Sequence, residues 1–272
     1  MISVVCVYNN ESLLKDYLLN SLENQTVEFE LIKIDNTRNR FRSAAEALND
    51  GGKRAKGKYI MFVHQDVRLS SNSWLEDAEK ILDYLPKLGI AGVAGAKKTG
   101  NPKKLEVVTN VKHGIPPRNA SYNLIKNPVE VETLDECLVI IPKPMFDTIM
   151  FDEKVCDDWH LYAVDYCLSV RKLGYFAYAI PLFVYHLSEG ALFTNYFKII
   201  LSFGEFSKKY YQNLEKIRNK HKMCYDRICT PCGIWDTSYP VILQRVLRSA
   251  KLGLNPISKR IVILRKRCVR NL

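Results

Sequence analysis

The first half of the chain alternates short apolar runs with amphipathic stretches, and each apolar run ends in polar residues. Residues 3–8 (SVVCVY) suit a strand buried on both faces. Asn10 is placed to cap a helix over 11–22, where Leu14, Leu18 and Leu22 repeat every four residues. A second strand over 30–34 ends at Asp35-Asn36. A helix over 43–55 follows, rich in alanine and weakened by Gly51-Gly52. A third strand, 58–63, ends at His64-Gln65-Asp66. Ser73 is placed to cap the next helix, and residues 90–94 give a fourth strand. This βαβαβαβ order predicts an α/β domain with a largely parallel sheet and right-handed crossovers.

The loops at 97–104 and 113–119 are polar, with Pro116-Pro117 in the second. Residues 129–141 hold two strand-like pieces around Leu134-Asp135-Glu136, 161–173 fit a helix, and 176–185 read as a last strand leading to His186. Beyond about residue 190 the pattern turns helical: an aromatic and basic stretch over 196–221, then 241–254 and 257–269. The expected division is therefore 1–190 as an α/β domain and 191–272 as a basic helical C-terminal extension.

Charge follows the same division. The net charge is +11, and nine basic residues lie beyond Thr237, where there is no Asp or Glu. The body is nearly neutral, unlike a protein that coats nucleic acid. No apolar run approaches the roughly 20 residues that span a bilayer, and residues 1–20 lack a basic segment followed by an apolar one. A cytoplasmic protein is expected. Val241, Ile242, Leu243, Val246 and Leu247 among basic residues, and Ile261 to Leu264 further on, suit an amphipathic surface on the inner face of an anionic membrane; a helical cap on the main domain is the alternative. Cys224, Cys229 and Cys232 have a spacing that zinc sites use but lack a second pair, so scattered reduced thiols are the favoured reading.

Ligands of open parallel sheets bind beyond the carboxyl ends of the strands. Three polar clusters stand there: Tyr8-Asn9-Asn10, Asp35-Asn36-Thr37 and His64-Gln65-Asp66. No glycine-rich dinucleotide fingerprint or phosphate-loop lysine motif is present. Four stretches, SVVCVYNNE, KIDNT, AEALNDGGKRAKGKYIMFVHQDV and DWHLYAVDYCLSVRKLGYFAYAIPLFVYHLSEG, together resemble the family 2 glycosyltransferases of the GT-A fold, a Rossmann-like sheet flanked by helices. The last two are similar to a rhamnosyltransferase-like subgroup in which HQD replaces Asp-x-Asp. The resemblance covers roughly residues 1–190.

It implies an inverting transfer of rhamnose or another hexose from a nucleoside-diphosphate sugar, UDP- or dTDP-linked, to a polysaccharide or glycolipid acceptor. A divalent metal would offset the charge of the departing diphosphate. By resemblance Asp66 and His186 are its ligands, and an imidazole among them favours Mn²⁺ over Mg²⁺. Asp35, Tyr8 and Asn9 would meet the base, with His64 facing either nucleotide or metal and Arg42 near the diphosphate. The family's usual general base position is Ala163 here. Asp165 leads the alternatives, with a structural contact to Arg171 as its other reading, and Asp158 and His160 follow. Trp159 offers a stacking face for sugar, and Asp135 and Glu136 stand where the family contacts donor sugar or acceptor. Two other functions stay open: a nucleotidyltransferase, and a non-catalytic nucleotide- or RNA-binding protein using the basic stretch near Tyr210. A nucleic-acid partner is disfavoured by the acids at the strand ends.

Overall fold

The computed structural model describes residues 1–101, 104–121, 124–187 and 206–254, with side chains to residue 248. Strand β1 (Ile2–Tyr8) leads to a continuous helix α1, made of Glu11–Leu13, a wider π-helical turn Leu14–Leu19, and Asn20–Leu22. Asn10 caps it as expected, its side chain accepting from the Leu13 N–H at 3.1 Å. There follow β2 (Phe29–Asp35), α2 (Ala44–Arg54), β3 (Tyr59–Val63), β4 (Val67–Leu69), α3 (Trp74–Asp83) and β5 (Leu88–Gly92). Ser73 precedes α3, but its hydroxyl donates to the Asp77 carboxylate, 2.7 Å away, and Gln25 from α1's far end accepts the Leu75 N–H instead.

The expected loops prove to be hairpins: β6 (Ala94–Lys98) pairs with β7 (Leu105–Thr109), and β8 (Val111–His113) with β9 (Arg118–Asn119). Residues 129–141 form three strands where two were expected: β10 (Val129–Val131), β11 (Thr133–Leu134) and β12 (Leu138–Pro142). Helix α4 (Lys143–Thr148) and helix α5 (Tyr162–Lys172) follow. The single expected strand 176–185 is broken at Pro181, which cannot donate to a ladder, into β13 (Phe176–Ala179) and β14 (Val184–His186) in different sheets. The C-terminal part holds α6 (Lys208–His221), a hairpin of β15 (Arg227–Thr230) and β16 (Gly233–Asp236), and α7 (Val241–Leu254), so it is not purely helical. The expected helix 257–269 lies outside the described residues.

The main sheet has the order β10-β13-β5-β12-β3-β1-β2. Five strands run the same way; β12 and β10 run against them. The sequence predicts β5 as the next parallel strand, but β12 lies between it and β3. Side chains alternate between two cores, as a period of two requires. Val4, Cys6, Met61 and Val63 pack with Leu14, Leu18, Trp74 and Leu75 on one face. Val5, Ile60 and Phe62 pack with α2 and α5 on the other. Gly51 and Gly52 let α2 lie close on that face: a Cβ at Gly51 would come 2.4 Å from Val5, and one at Gly52 2.3 Å from the Phe146 ring.

Tyr210, Leu214, Ile217, Ile228, Trp235 and Val241 belong to the second of these cores. Described residues on both sides of the expected boundary near 190 thus share one apolar interior.

Candidate active site

Parallel β1, β2 and β3 end at one rim, where backbone and side chains turn polar. Gln65 fastens two of these ends together. Its Oε1 accepts from the N–H groups of Asn9 and Asn10, both at 3.0 Å, and its amide donates to Asn9 Oδ1 at 2.6 Å. Asn36, buried after β2, holds its loop closed by accepting from the Phe41 N–H at 2.8 Å. Between these ends opens a cleft of about 280 Å³, lined among others by Tyr8, Asn9, Asn36, His64, Asp66, Trp159 and Tyr162.

A local pairing completes the rim. Strand β4 starts directly after Asp66 and pairs antiparallel with β14, so that His186 stands opposite Val67. Backbone continues the register, the Leu187 N–H donating to the Asp66 carbonyl at 3.1 Å. His186 Nε2 thereby lies 3.3 Å from Asp66 Oδ1, and the His64 ring centre is 5.5 Å from that of His186. One ligand atom from each of His64, Asp66 and His186 falls within 4.8 Å of the others, the one such group among the described residues. The cysteine spacing at 224–232 makes no comparable group; Cys224 is exposed and Cys229 buried.

The donor set fits a divalent cation. Two ligands about 2.1 Å from a shared ion at 90–109° lie about 3.0–3.4 Å apart, the separation seen between His186 and Asp66. Protonation states agree. Burial, then the neighbouring His186, pushes His64 down to about 4, so its ring is neutral with a lone pair to offer. For Asp66 burial acts upward, but the hydrogen bond and charge of His186 with the charge of His64 outweigh it and hold the carboxyl at about 2.

A second cavity of about 210 Å³ opens on the other side of His64. His64 lines both spaces, Asp66 the first and His186 the second. Because β12 is antiparallel, its first residues meet the last of β3: the His64 N–H donates to the Cys137 carbonyl at 3.0 Å. This brings Asp135 and Glu136 into the second cavity, with His160. Glu136 sits under the start of α5, where the N–H groups of Leu161, Tyr162 and Ala163 bond its carboxyl. Its Oε1 is enclosed without a partner, and burial, with Asp135 beside it, raises its pKa well above the ordinary range. Tyr210 and the turn Thr230-Pro231-Cys232 close the far side.

Other expected residues lie elsewhere. Asp165 is buried on α5 and lines neither cavity. It binds His221 Nε2 at 2.8 Å and Lys220 Nζ at 2.7 Å, whereas Arg171, its expected partner, pairs with Glu132 at 2.9 Å. Asp158 faces Lys209 at 3.7 Å and also lines neither. Arg42 is exposed and pairs with Glu46 on its own helix end. Asp35 stands at the rim with its carboxylate accepting from the Thr37 N–H at 2.8 Å, outside the lining of the cleft. Trp159, expected as a stacking face for sugar, lines the first cavity. In the described part of the aromatic and basic stretch, Tyr210 is buried and stacked on Phe206.

The sequence reading placed Asn36 and Gln65 in the polar clusters at the strand ends without giving either a role, and it missed Tyr162 as a site residue. Tyr162 Oη lies 3.4 Å from His64 Nε2 and donates to the Glu136 carbonyl at 3.0 Å, tying the two cavities together. Gln65 was readable from its place inside His-Gln-Asp; Tyr162 carried no such signal.

A family profile described as "Glycosyltransferase like family" matches residues 3–188. A protein of Fuscovulum blasticum described as "ATP synthase subunits region ORF 6" is 29% identical over 152 residues, 54% of this chain and 58% of that one. Among solved structures, GalNAc-T7 with UDP, GalNAc and Mn²⁺ superposes with a TM-score of 0.52 at 14% identity, covering 82% of this chain and 50% of that one. S. aureus TarS 1–349 in complex with UDP-GlcNAc gives 0.49 at 16% identity, covering 80% and 66%. The chain thus spans less than two thirds of each of these proteins. With GalNAc-T7 it shares a sheet flanked by helices, the GT-A arrangement, and the matched profile covers that sheet from Ser3 on and every residue named in the first cavity: the chain belongs to the glycosyltransferase-like family.

Proposed function

We propose that this chain is an inverting glycosyltransferase that uses a divalent metal, Mn²⁺ or Mg²⁺. It moves rhamnose or another hexose from a UDP- or dTDP-linked donor to a glycan or lipid-linked acceptor in polysaccharide assembly. The observation that carries this reading is the position of His64, Asp66 and His186 on the boundary between two cavities. Donor and acceptor need separate spaces that meet at one point, and the diphosphate needs its charge offset at that point.

In this reading the first cavity takes the nucleotide. Tyr8 and Asn9 flank the base, Asp35 reaches it from the rim, and Trp159 covers the sugar. A cation bound by His64, Asp66 and His186 would act as a Lewis acid toward the leaving diphosphate. The acceptor enters the second cavity, where Asp135 orients its hydroxyl groups. Of the three candidate bases only His160 lines this space, so His160 is assigned the acceptor proton. Glu136, its carboxyl bonded by the N–H groups at the start of α5 and its pKa raised by burial, is given a positioning role.

The test is a thermal-shift panel of UDP, dTDP and GDP with and without Mn²⁺. A nucleotide at about 100 times its dissociation constant stabilises by about 2.7 kcal/mol, and the Mn²⁺-dependent part should vanish in Asp66→Ala. Sugar transfer should fall about 10²–10⁴-fold in His160→Ala with nucleotide binding kept. Nucleotide binding indifferent to metal in both proteins would sink the metal assignment.

A further inference from the structure

Helix α7 is packed the wrong way round for a soluble protein. A surface helix turns its apolar stripe inward and its charges to water. Here, over the residues 241–248, Val241 is buried, Gln244 and Arg245 are half-buried, and the exposed Arg248 reaches back over Trp235. The Val241 N–H donates to Glu215 Oε2 at 2.7 Å, and the Gln244 amide donates to the Asp236 carbonyl at 2.7 Å. The Arg245 guanidinium lies 3.8 Å from the Tyr211 ring centre and that of Arg248 3.9 Å from Trp235. The outward positions are Ile242, Leu243, Val246 and Leu247, between 42% and 62% exposed. Four aliphatic side chains thus form one outward stripe on a helix held by polar and cation–π contacts.

We propose that this stripe docks on an anionic lipid surface. The occupant follows from charge. No Asp or Glu occurs from Thr237 to the end, while nine Lys and Arg do. A second copy of the chain, or the segment 255–272 folded back, would bring like charges to a C-terminal stretch that carries nine cations and no acid. An anionic leaflet answers both the aliphatic stripe and the cations. The position has a use that rests on the transferase reading. Tyr211, which holds Arg245, adjoins Tyr210 in the wall of the second cavity, so docking would set that cavity beside lipid-linked acceptors.

Flotation of the full chain with phosphatidylcholine vesicles, with and without phosphatidylglycerol, tests this. Binding should require phosphatidylglycerol, weaken with added salt, and fall at least about tenfold in the double variant Ile242→Asp, Val246→Asp. These sites are exposed, so thermal unfolding and nucleotide binding of the variant should match the parent. Equal flotation of parent and variant would overturn the proposal, leaving charge alone as the cause. So would failure to float, whether the protein is a monomer or a dimer that the variant splits. A protein that floats as described yet binds no nucleotide would support the docking face while counting against the transferase reading.

Discussion

His64 loses its proton for two reasons at one place: it is buried, and His186 stands beside it. This has a sign for stability. The folded His64 titrates near 4 and an unfolded histidine near 6.5, so between those values the unfolded chain binds a proton that the native one refuses. Stability from this group is complete above about 6.5 and falls as pH drops toward 4, by about 3 kcal/mol in all. Urea unfolding in chelator should therefore show a shallower loss between pH 7 and 4 in His64→Gln than in the parent; parallel profiles would refute the assignment. Asp165 makes the opposite lesson visible. It reads from sequence as a base, but its partners Lys220 and His221 come from a helix far along the chain, and nothing local announces them. Removing one member of such a buried cluster leaves the others unpaired. Asp165→Ala should cost about 3–5 kcal/mol of stability, measured by denaturant midpoint, while Mn²⁺-dependent nucleotide binding persists in the folded fraction.

At the scale of elements, the strands and helices whose signal is local were legible. The alternating apolar run of β1 and the Leu14, Leu18, Leu22 repeat of α1 formed as their periods require, because each buries a face that the sequence marks by itself. What pairs with what was not legible. Strand β12 joined β3 because its apolar residues suit a doubly buried position, and no periodicity distinguishes that partner from another. The metal-type group was reached from sequence only by resemblance, since the β4 and β14 register that joins Asp66 to His186 is set by long-range pairing. The glycines of α2 were read as a weakness, and the structure gives them a purpose. Alanine is favoured over glycine in a helix by about 1 kcal/mol, but a Cβ at Gly52 meets the buried Phe146 ring. Overpacking of this kind costs about 1–3 kcal/mol, so Gly52→Ala should lose the propensity gain and be destabilising by up to about 2 kcal/mol in a urea titration.

Across the whole molecule, the C-terminal segment is less separable than composition suggests. The change from neutral to basic sequence is real, yet Leu214, Ile217 and Trp235 lie in the core that α2 and α5 also line. A chain ending at residue 205 would leave that core open to water. It should unfold without a cooperative transition by calorimetry, whereas an independent appendage could be removed with the melting curve of the rest intact. The reversed strand β12 gives the molecule a further property. Its neighbours exit at the rim while it enters there, so Asp135 and Glu136 reach the second cavity from the tail of a connection, while His64 at the exit of β3 is shared with the first. Under the proposed transferase reading, lengthening or recolouring the stretch before Leu138 would change which hydroxyl is decorated, with the pocket for the activated sugar inherited intact.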